Sequence, residues 1–415
     1  MGSAASTTAT TVASVFPDAT NPALTDAEKL ALFDTLQARL LEEQGQAPEE
    51  KTAEDDRTAG AATMHTTSAA AAAMFQPLFE GPIDVIGDIH GECGTLCELL
   101  DRLGYDGNGA HPEGRRLVFV GDLVDRGPDS PGVVRLVRHL IEQGTAQCIL
   151  GNHELNLMRG DHKHGNGWYY GESEVIRKDK GAISFQIHAP DDAFRSEVRA
   201  FFDTLPLALV RDDTVVVHAA WQAESVAKLK DLPEGVGVVE AFELFEAATA
   251  AQIKEEGIED KEVIDLMEQN NNPIKVLSSG LEGKAAEPFF AGGKMRTLER
   301  VKWWETYAPA AGEEDRLVII GHFWRRFMDE VDGRVEEKHP EGPFLPTGAD
   351  MFPGYRPSDL LGPRKKVMCV DYAAGVRFEE RGMELPEGTL GTQLAALRLP
   401  ERTLHLSDSR VLKCE

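Results

Sequence analysis

Between residues 82 and 406, short apolar runs alternate with polar turns, and nearly every run ends in residues capable of chemistry. Pro82 to Ile86 is the first run, short and branched enough to predict a buried strand. After its turn, Leu96, Leu99, Leu100 and Leu103 recur at i, i+3, i+4 and i+7, which predicts a helix closed by Gly104. Arg116 to Val120 predicts a second strand, Val133 to Ile141 a second helix and Gln147 to Leu150 a third strand. The β-branched runs Asp213 to Val217, Leu317 to Ile320 and Lys366 to Val370 predict three more strands, and Thr392 to Leu399 with Thr403 to Leu406 a closing hairpin. Strand, polar turn and helix in repetition predict an α/β fold whose ligands sit at the carboxyl ends of the strands.

Outside that repetition the chain divides by composition. Residues 1–24 are Ala, Ser and Thr with few large apolar side chains, which predicts a disordered tail. Over 25–43, Thr25 and Glu28 form a capping box, and Leu30, Leu32, Phe33, Leu36, Leu40 and Leu41 fall near helical spacing. One amphipathic helix follows, suited to docking on the body or on a protein partner. Residues 44–74 read as a flexible linker and 75–415 as the main domain. Within it the segment 224–315 is too long for a simple connection, is rich in Asp and Glu, and carries helical periodicity from Val238 to Ile253. It reads as a mainly helical insertion.

Charge and cysteine content narrow the function further. A net charge of -27 and a pI near 4.9 argue against binding long nucleic acids, which need clustered Lys and Arg to release counterions. Five cysteines, with Cys93 and Cys97 in one turn, form neither a disulfide framework nor a zinc ribbon, so a reducing, cytoplasmic setting is the expectation. No stretch reaches the roughly 20 apolar residues of a membrane-spanning helix, and residues 1–20 lack a signal-peptide pattern.

The chemistry gathers at the strand ends. Asp88 and His90 follow the first strand in Gly87-Asp88-Ile89-His90-Gly91, Asp122 follows the second, Asn152 the third, His218 the fourth and His322 the fifth. Six nitrogen and oxygen donors without a cysteine suit Mn²⁺, Fe²⁺ or Zn²⁺, and six are about right for two ions sharing a carboxylate.

The order Gly-Asp-x-His-Gly, Gly-Asp-x-Val-Asp-Arg-Gly, Gly-Asn-His-Glu, His-Ala and Gly-His resembles the calcineurin-like metallophosphoesterases. Its Asp-Arg-Gly version is similar to the phosphoprotein phosphatase branch, which includes diadenosine tetraphosphatases and the phosphatase domain of bacterial polynucleotide kinase-phosphatases. The resemblance implies a four-layer α-β-β-α sandwich. It also implies two divalent metal ions, manganese first, with Asp88 and His90 on one, Asp122 bridging, and Asn152, His218 and His322 on the other. Trp324 stands where many superfamily members carry one more ligand histidine, which leaves the first ion fewer protein ligands.

The chemistry implied is hydrolysis of phosphomonoesters, in proteins or small molecules, or of dinucleoside polyphosphates. Two metals activate water and clamp the phosphoryl oxygens for in-line attack. Arg126 is the expected phosphate clamp, His153 the expected acid for the leaving oxygen, and Asp125 its orienting partner. Tyr372 resembles the branch's tyrosine over the substrate, with packing an equal alternative. The branch's second arginine leaves Arg296 and Arg300 as candidates, with Arg296 put forward. Asp125 with Arg126 as a structural ion pair, and His153 as a support for Asn152, are the plainer alternatives. His162, Lys163 and His164 read as a polar loop, and Trp303, Trp304 and Tyr307 as core rather than a nucleobase platform. A non-catalytic metal- or phosphate-binding module is the competing function.

Overall fold

Runs of Val, Ile, Leu and Phe make strands here because branched and aromatic side chains pack well on a pleated surface covered on both faces. The computed structural model describes residues 74–163, 165–172, 174–176, 183–185, 188–233, 235–291, 294–309, 316–325, 328–331, 334–337, 351–377, 380 and 391–415. The tail, the helix at 25–43 and nearly all of the linker lie outside the described residues.

The chain opens with β1 (Phe75–Pro77) and β2 (Ile83–Ile86), then the helix Cys93–Leu103. β3 (Arg116–Phe119) leads into the helix Ser130–Glu142, and β4 (Ala146–Cys148) into Asn152–Arg159. A small hairpin of β5 (Glu174–Ile176) and β6 (Ile183–Phe185) and the helix Asp192–Phe202 precede β7 (Ala208–Val210) and β8 (Thr214–Val217). The insertion follows with the helices Ala223–Lys230, Val238–Glu256, Lys261–Asn270 and Pro273–Ser279 and a hairpin of β9 (Glu282–Ala291) and β10 (Lys294–Arg300). After it come β11 (Leu317–Ile320), the paired β12 (Met328–Val331) and β13 (Arg334–Glu337), β14 (Val367–Cys369), β15 (Ala395–Leu399), β16 (Thr403–Leu406) and β17 (Val411–Lys413).

Apart from the two-stranded pairs β5–β6, β9–β10 and β12–β13, these strands form two mixed sheets, ordered β1-β7-β8-β11-β14 and β17-β16-β15-β2-β3-β4. In the second, β2, β3 and β4 run parallel, and Ile86, Phe119 and Cys148 line up across them. In the first, β8, β11 and β14 run parallel, with Val216 beside Ile319 and Ile320 beside Cys369. Val85 and Val118 of one sheet and Val216, Ile319 and Met368 of the other belong to a single buried cluster, so the sheets pack face to face. Truncating a residue such as Ile319 to Ala would cost about 2–5 kcal/mol, since the close-packed layers cannot collapse onto the gap. Two mixed sheets with helices beside them match the expected sandwich.

Both anticipated early helices form, and their ends are specified locally. Gly104 stops the first at a φ of +95°, where its N–H donates to the Asp101 carbonyl. The Asp129 carboxylate accepts the N–H of Gly132 at 2.8 Å and starts the second. The long β9–β10 hairpin, and the short strands β1, β7 and β17, were not expected from sequence. Among the described residues no helix is long and apolar enough to cross a membrane.

Candidate active site

Register does the gathering. With β2, β3 and β4 aligned at their carboxyl ends, Asp88, Asp122 and Asn152 emerge side by side; β8, β11 and β14 do the same for His218, His322 and Asp371. The turns are tight enough to exclude side chains. A Cβ on Gly321 would lie 2.0 Å from Asp88 Oδ1, and one on Gly151 would lie 2.2 Å from Asp122 Oδ1. His90, Asp122, Asp125, Arg126 and His322 all hold positive φ, between 48° and 75°, a backbone region that costs about 1–3 kcal/mol per non-glycine residue. Packed sheets beneath supply the constraint that holds them there.

Glu154 ties two of the turns together. Its buried carboxylate accepts the N–H groups of Asp122 and Leu123 at 2.8 Å and of Gly151 at 2.9 Å. Burial, with the charge of Asp122 nearby, pushes this carboxyl up to about 7.

Asp122 stands between two groups of donors. His90, Asp122 and His153 each offer an atom within 4.8 Å of the others, and so do Asp122, His218 and His322. Asp122 Oδ2 lies 3.3 Å from His218 Nε2 and 3.6 Å from His90 Nε2. Asn152 Oδ1 adds a neutral donor, 2.8 Å from His322 Nδ1 and 3.3 Å from His218 Nε2. The tautomers of two rings are set from behind: His218 Nδ1 donates to the Val120 carbonyl at 2.7 Å and His90 Nδ1 to the Val124 carbonyl at 3.0 Å, which turns both Nε2 atoms inward. Asp88 belongs to neither group of three; its Oδ2 accepts the His322 N–H at 3.0 Å.

The electrostatics of this cradle call for cations. Burial and the neighbouring Asp371 carboxylate push Asp88 well above the carboxylate range, and burial brings Asp371 up to about 6. Burial works against a charged His218, yet Asp122 and Asp88 draw it up to about 10; burial and the Arg300 guanidinium hold His322 far below the imidazole range. Asp88 Oδ1, Asp371 Oδ2 and His322 Nε2 are buried with no hydrogen-bond partner. Orphaned acceptors of this kind are costly unless something positive reaches them. The mixed imidazole, carboxylate and amide set fits divalent ions of the first transition row.

Beside the cradle lies a second layer of chemistry. His153 Nδ1 sits 2.6 Å from Asp125 Oδ2, and the other oxygen of Asp125 accepts the indole N–H of Trp168 at 2.7 Å. Arg126 spans the gap: Nη1 donates to His90 Nε2 and Nη2 to His153 Nε2, both at 2.9 Å. Trp324 shelters the guanidinium, its ring centroid 5.3 Å from Cζ. Asp125 and Arg126 form no ion pair with each other, so each is committed to a histidine rather than to the plainer structural role.

Several other candidates sit elsewhere. Tyr372 is buried within the inter-sheet cluster, and its hydroxyl donates to the Pro357 carbonyl, so packing is its place. Arg296 and Arg300 are both exposed on β10, but Arg300, at the end of that strand, lies 5.6 Å from the Phe323 ring centroid and exerts its charge on His322. Trp303 and Trp304 are core residues, and Tyr307 is buried beside them. His162 stacks on Tyr170 at 3.7 Å in an exposed loop, and His164 lies outside the described residues. Sequence reasoning left out Glu154, Trp168 and Asp371. Of these, Glu154 closes the Gly-Asn-His-Glu motif and Asp371 follows a strand as the other acidic donors do, whereas Trp168 carried no signal.

Comparison with known proteins agrees with this geometry. Residues 81–235 match the family model described as calcineurin-like phosphoesterase. The chain is 36% identical over 152 residues to the asymmetrical bis(5'-nucleosyl)-tetraphosphatase PrpE of Halalkalibacterium halodurans, covering 34% of this chain and 58% of that protein. It is 36% identical over 157 residues to the PrpE protein of Bacillus subtilis, covering 35% of this chain and 60% of the relative. These matches therefore span only about three fifths of the PrpE relatives' own length. A longer match, 35% identical over 326 residues, is to the symmetrical bis(5'-nucleosyl)-tetraphosphatase of Aromatoleum aromaticum and covers 77% of this chain and 94% of that protein. Identity sustained over that length, with the family model centred on the β2–β8 turns, makes this chain a member of the calcineurin-like phosphoesterase family.

Proposed function

We propose that the protein is a metal-dependent hydrolase of phosphoester or phosphoanhydride bonds, with dinucleoside polyphosphates first among its substrates and phosphomonoesters second. The observation that carries the reading is Asp122, shared by two groups of buried donors, with the Asp125–His153 pair and Arg126 directly beside it. The names of the relatives favour the dinucleoside substrates. A module that only bound metal or phosphate would have no use for a histidine held by a buried carboxylate.

Asp88, His90, Asp122, Asn152, His218 and His322 would hold two divalent ions, manganese first. Bound there, the ions supply Lewis-acid stabilisation of phosphoryl charge and an activated water, a large share of the barrier for one of the slowest uncatalysed hydrolyses. The chain's own residues do the rest. Arg126 offers a guanidinium fork to the non-bridging oxygens, with Arg300 approaching from the insertion side. His153 has Nδ1 committed to Asp125, so Nε2 is the nitrogen that takes up a proton from solvent and hands it to the leaving oxygen. Arg126 now donates to that nitrogen; a phosphate drawing the guanidinium onto itself frees Nε2 to take up the proton it will deliver, which couples substrate binding to assembly of the acid.

A panel of diadenosine tetraphosphate, p-nitrophenyl phosphate, a phosphothreonine peptide and a 3′-phosphorylated oligonucleotide, assayed with Mn²⁺, tests the reading. Turnover with diadenosine tetraphosphate preferred is expected. Absence of turnover on all four with metal bound would overturn it.

A further inference from the structure

The Asp125 carboxylate is fully buried, and both of its oxygens are taken: Oδ2 by His153 Nδ1 at 2.6 Å and Oδ1 by Trp168 Nε1 at 2.7 Å. A carboxylate held at one oxygen alone can swing about its terminal torsion and offer its partner either oxygen. Held at both, it presents one oxygen at one angle. We infer that Trp168 is a positioning residue for the proton donor, fixing Asp125 so that His153 keeps its Nδ1–H on that carboxylate and aims Nε2, which takes up the proton to be delivered once Arg126 releases it, at the leaving oxygen. This rests on the hydrolase reading above.

Trp168 sits in a one-turn helix, Gly167–Tyr170, and the loop leading into it is built for the purpose. Buried Asn166 accepts the Lys163 N–H at 3.0 Å through Oδ1 and donates to the Asp161 carbonyl at 2.9 Å through Nδ2. The Gly165 carbonyl accepts the Arg126 N–H at 3.0 Å, and a Cβ on Gly165 would lie 2.8 Å from Arg126 Cγ. One short segment therefore grips the backbone of Arg126 and the side chain of its neighbour Asp125, two consecutive residues at φ of 67° and 75°. The indole is 7% exposed, and its backbone carbonyl is anchored by the Ala189 N–H at 2.8 Å. Tryptophan suits the place because its ring nitrogen donates only, so it cannot compete with Asp125 as an acceptor for the histidine proton.

Trp168→Phe keeps the bulk and removes the donor. Two substrates with different leaving groups separate positioning from general damage. Phenyl phosphate needs its leaving oxygen protonated, whereas p-nitrophenyl phosphate releases a phenolate that is stable near neutrality. The variant should lose about 10- to 100-fold in kcat on phenyl phosphate, much less on p-nitrophenyl phosphate, with KM little changed. In an Asp125→Asn background the same substitution should add almost nothing. Equal loss on both substrates, or additivity with Asp125→Asn, would overturn the inference.

A measurement independent of turnover accompanies it. In protein labelled with ¹⁵N at histidine and tryptophan, the His153 ring should report one tautomer in the wild type and a mixture in Trp168→Phe. The Trp168 indole proton should sit downfield and move on Asp125→Asn, a readout that needs only the wild type and that variant should Trp168→Phe fail to fold. If the wild type were inert yet these shifts appeared, the hydrolase reading would fail while the geometry stood; unchanged His153 signals and an unmoved indole proton would remove the positioning role itself.

Discussion

His153 and Asp125 are joined by a 2.6 Å contact between Nδ1 and Oδ2, both side chains buried, and the bond leaves the opposite ring nitrogen as the one that faces the cradle. Orientation of this kind matters only if the ring moves a proton. Replacing Asp125 with Asn keeps the shape and removes the charge, so kcat should fall by about 10²- to 10⁴-fold, the usual share of a positioned acid, while metal content is unchanged. Steady-state kinetics with metal analysis on the same preparation checks this. A variant with full kcat would leave the pair a structural one.

Glu154 predicts a stability effect in place of a chemical one. Its two oxygens serve three backbone N–H groups from two turns, and Gln would set an amide NH₂ against one or more of those donors. Glu154→Gln should lose about 1–3 kcal/mol, seen as a melting temperature lower by about 2–4 °C per kcal/mol. Thermal denaturation in the presence of chelator isolates this from metal binding.

On β16, His405 gives a pH prediction. Burial, with Arg398 and Arg115 close by, holds its ring below the ordinary imidazole range despite Asp84 and Glu401. A depressed folded-state value means that the unfolded chain takes up the proton first. The contribution to stability is complete above the unfolded value of about 6.5 and is lost as pH falls below it toward the folded value. Urea unfolding at about pH 7.5 and about pH 5.5 should show a larger drop for wild type than for His405→Gln. An equal drop would mean that His405 titrates alike in both states.

Much of this architecture is written in the runs of branched side chains. Leu317–Ile320 is buried throughout and Thr403–Leu406 on alternate residues, as their sequences predict, and Gly321 after the former marks a turn that tolerates no side chain. The donor set at the strand ends was legible for the same reason, because parallel register converts strand termini into neighbours. Three-residue strands such as Ala208–Val210 carry too little pattern to detect, and β9 mixes charged residues with Gly283 and Pro288. Side-chain direction was less legible still. Asp371 and Tyr372 end the same strand, but alternate residues face opposite ways; the aspartate reaches the site and the tyrosine enters the core. Arg300 and Arg296 differ by one helical turn in sequence, yet they lie on a strand, where only its last residue approaches His322. Trp168 meets Asp125 from 43 positions away, from a one-turn helix, and no local pattern encodes that contact.

The shared position of Asp122 is the centre of the account, and metal titration tests it most directly. Protein stripped of metal and titrated with Mn²⁺ by calorimetry, with diadenosine tetraphosphate hydrolysis followed in parallel, should bind two ions per chain and gain activity as the second site fills. Asp122→Asn should bind weakly at both sites and show no turnover. Two ions bound as tightly by Asp122→Asn as by wild type, or hydrolysis preserved in that variant, would contradict a carboxylate shared between two metals.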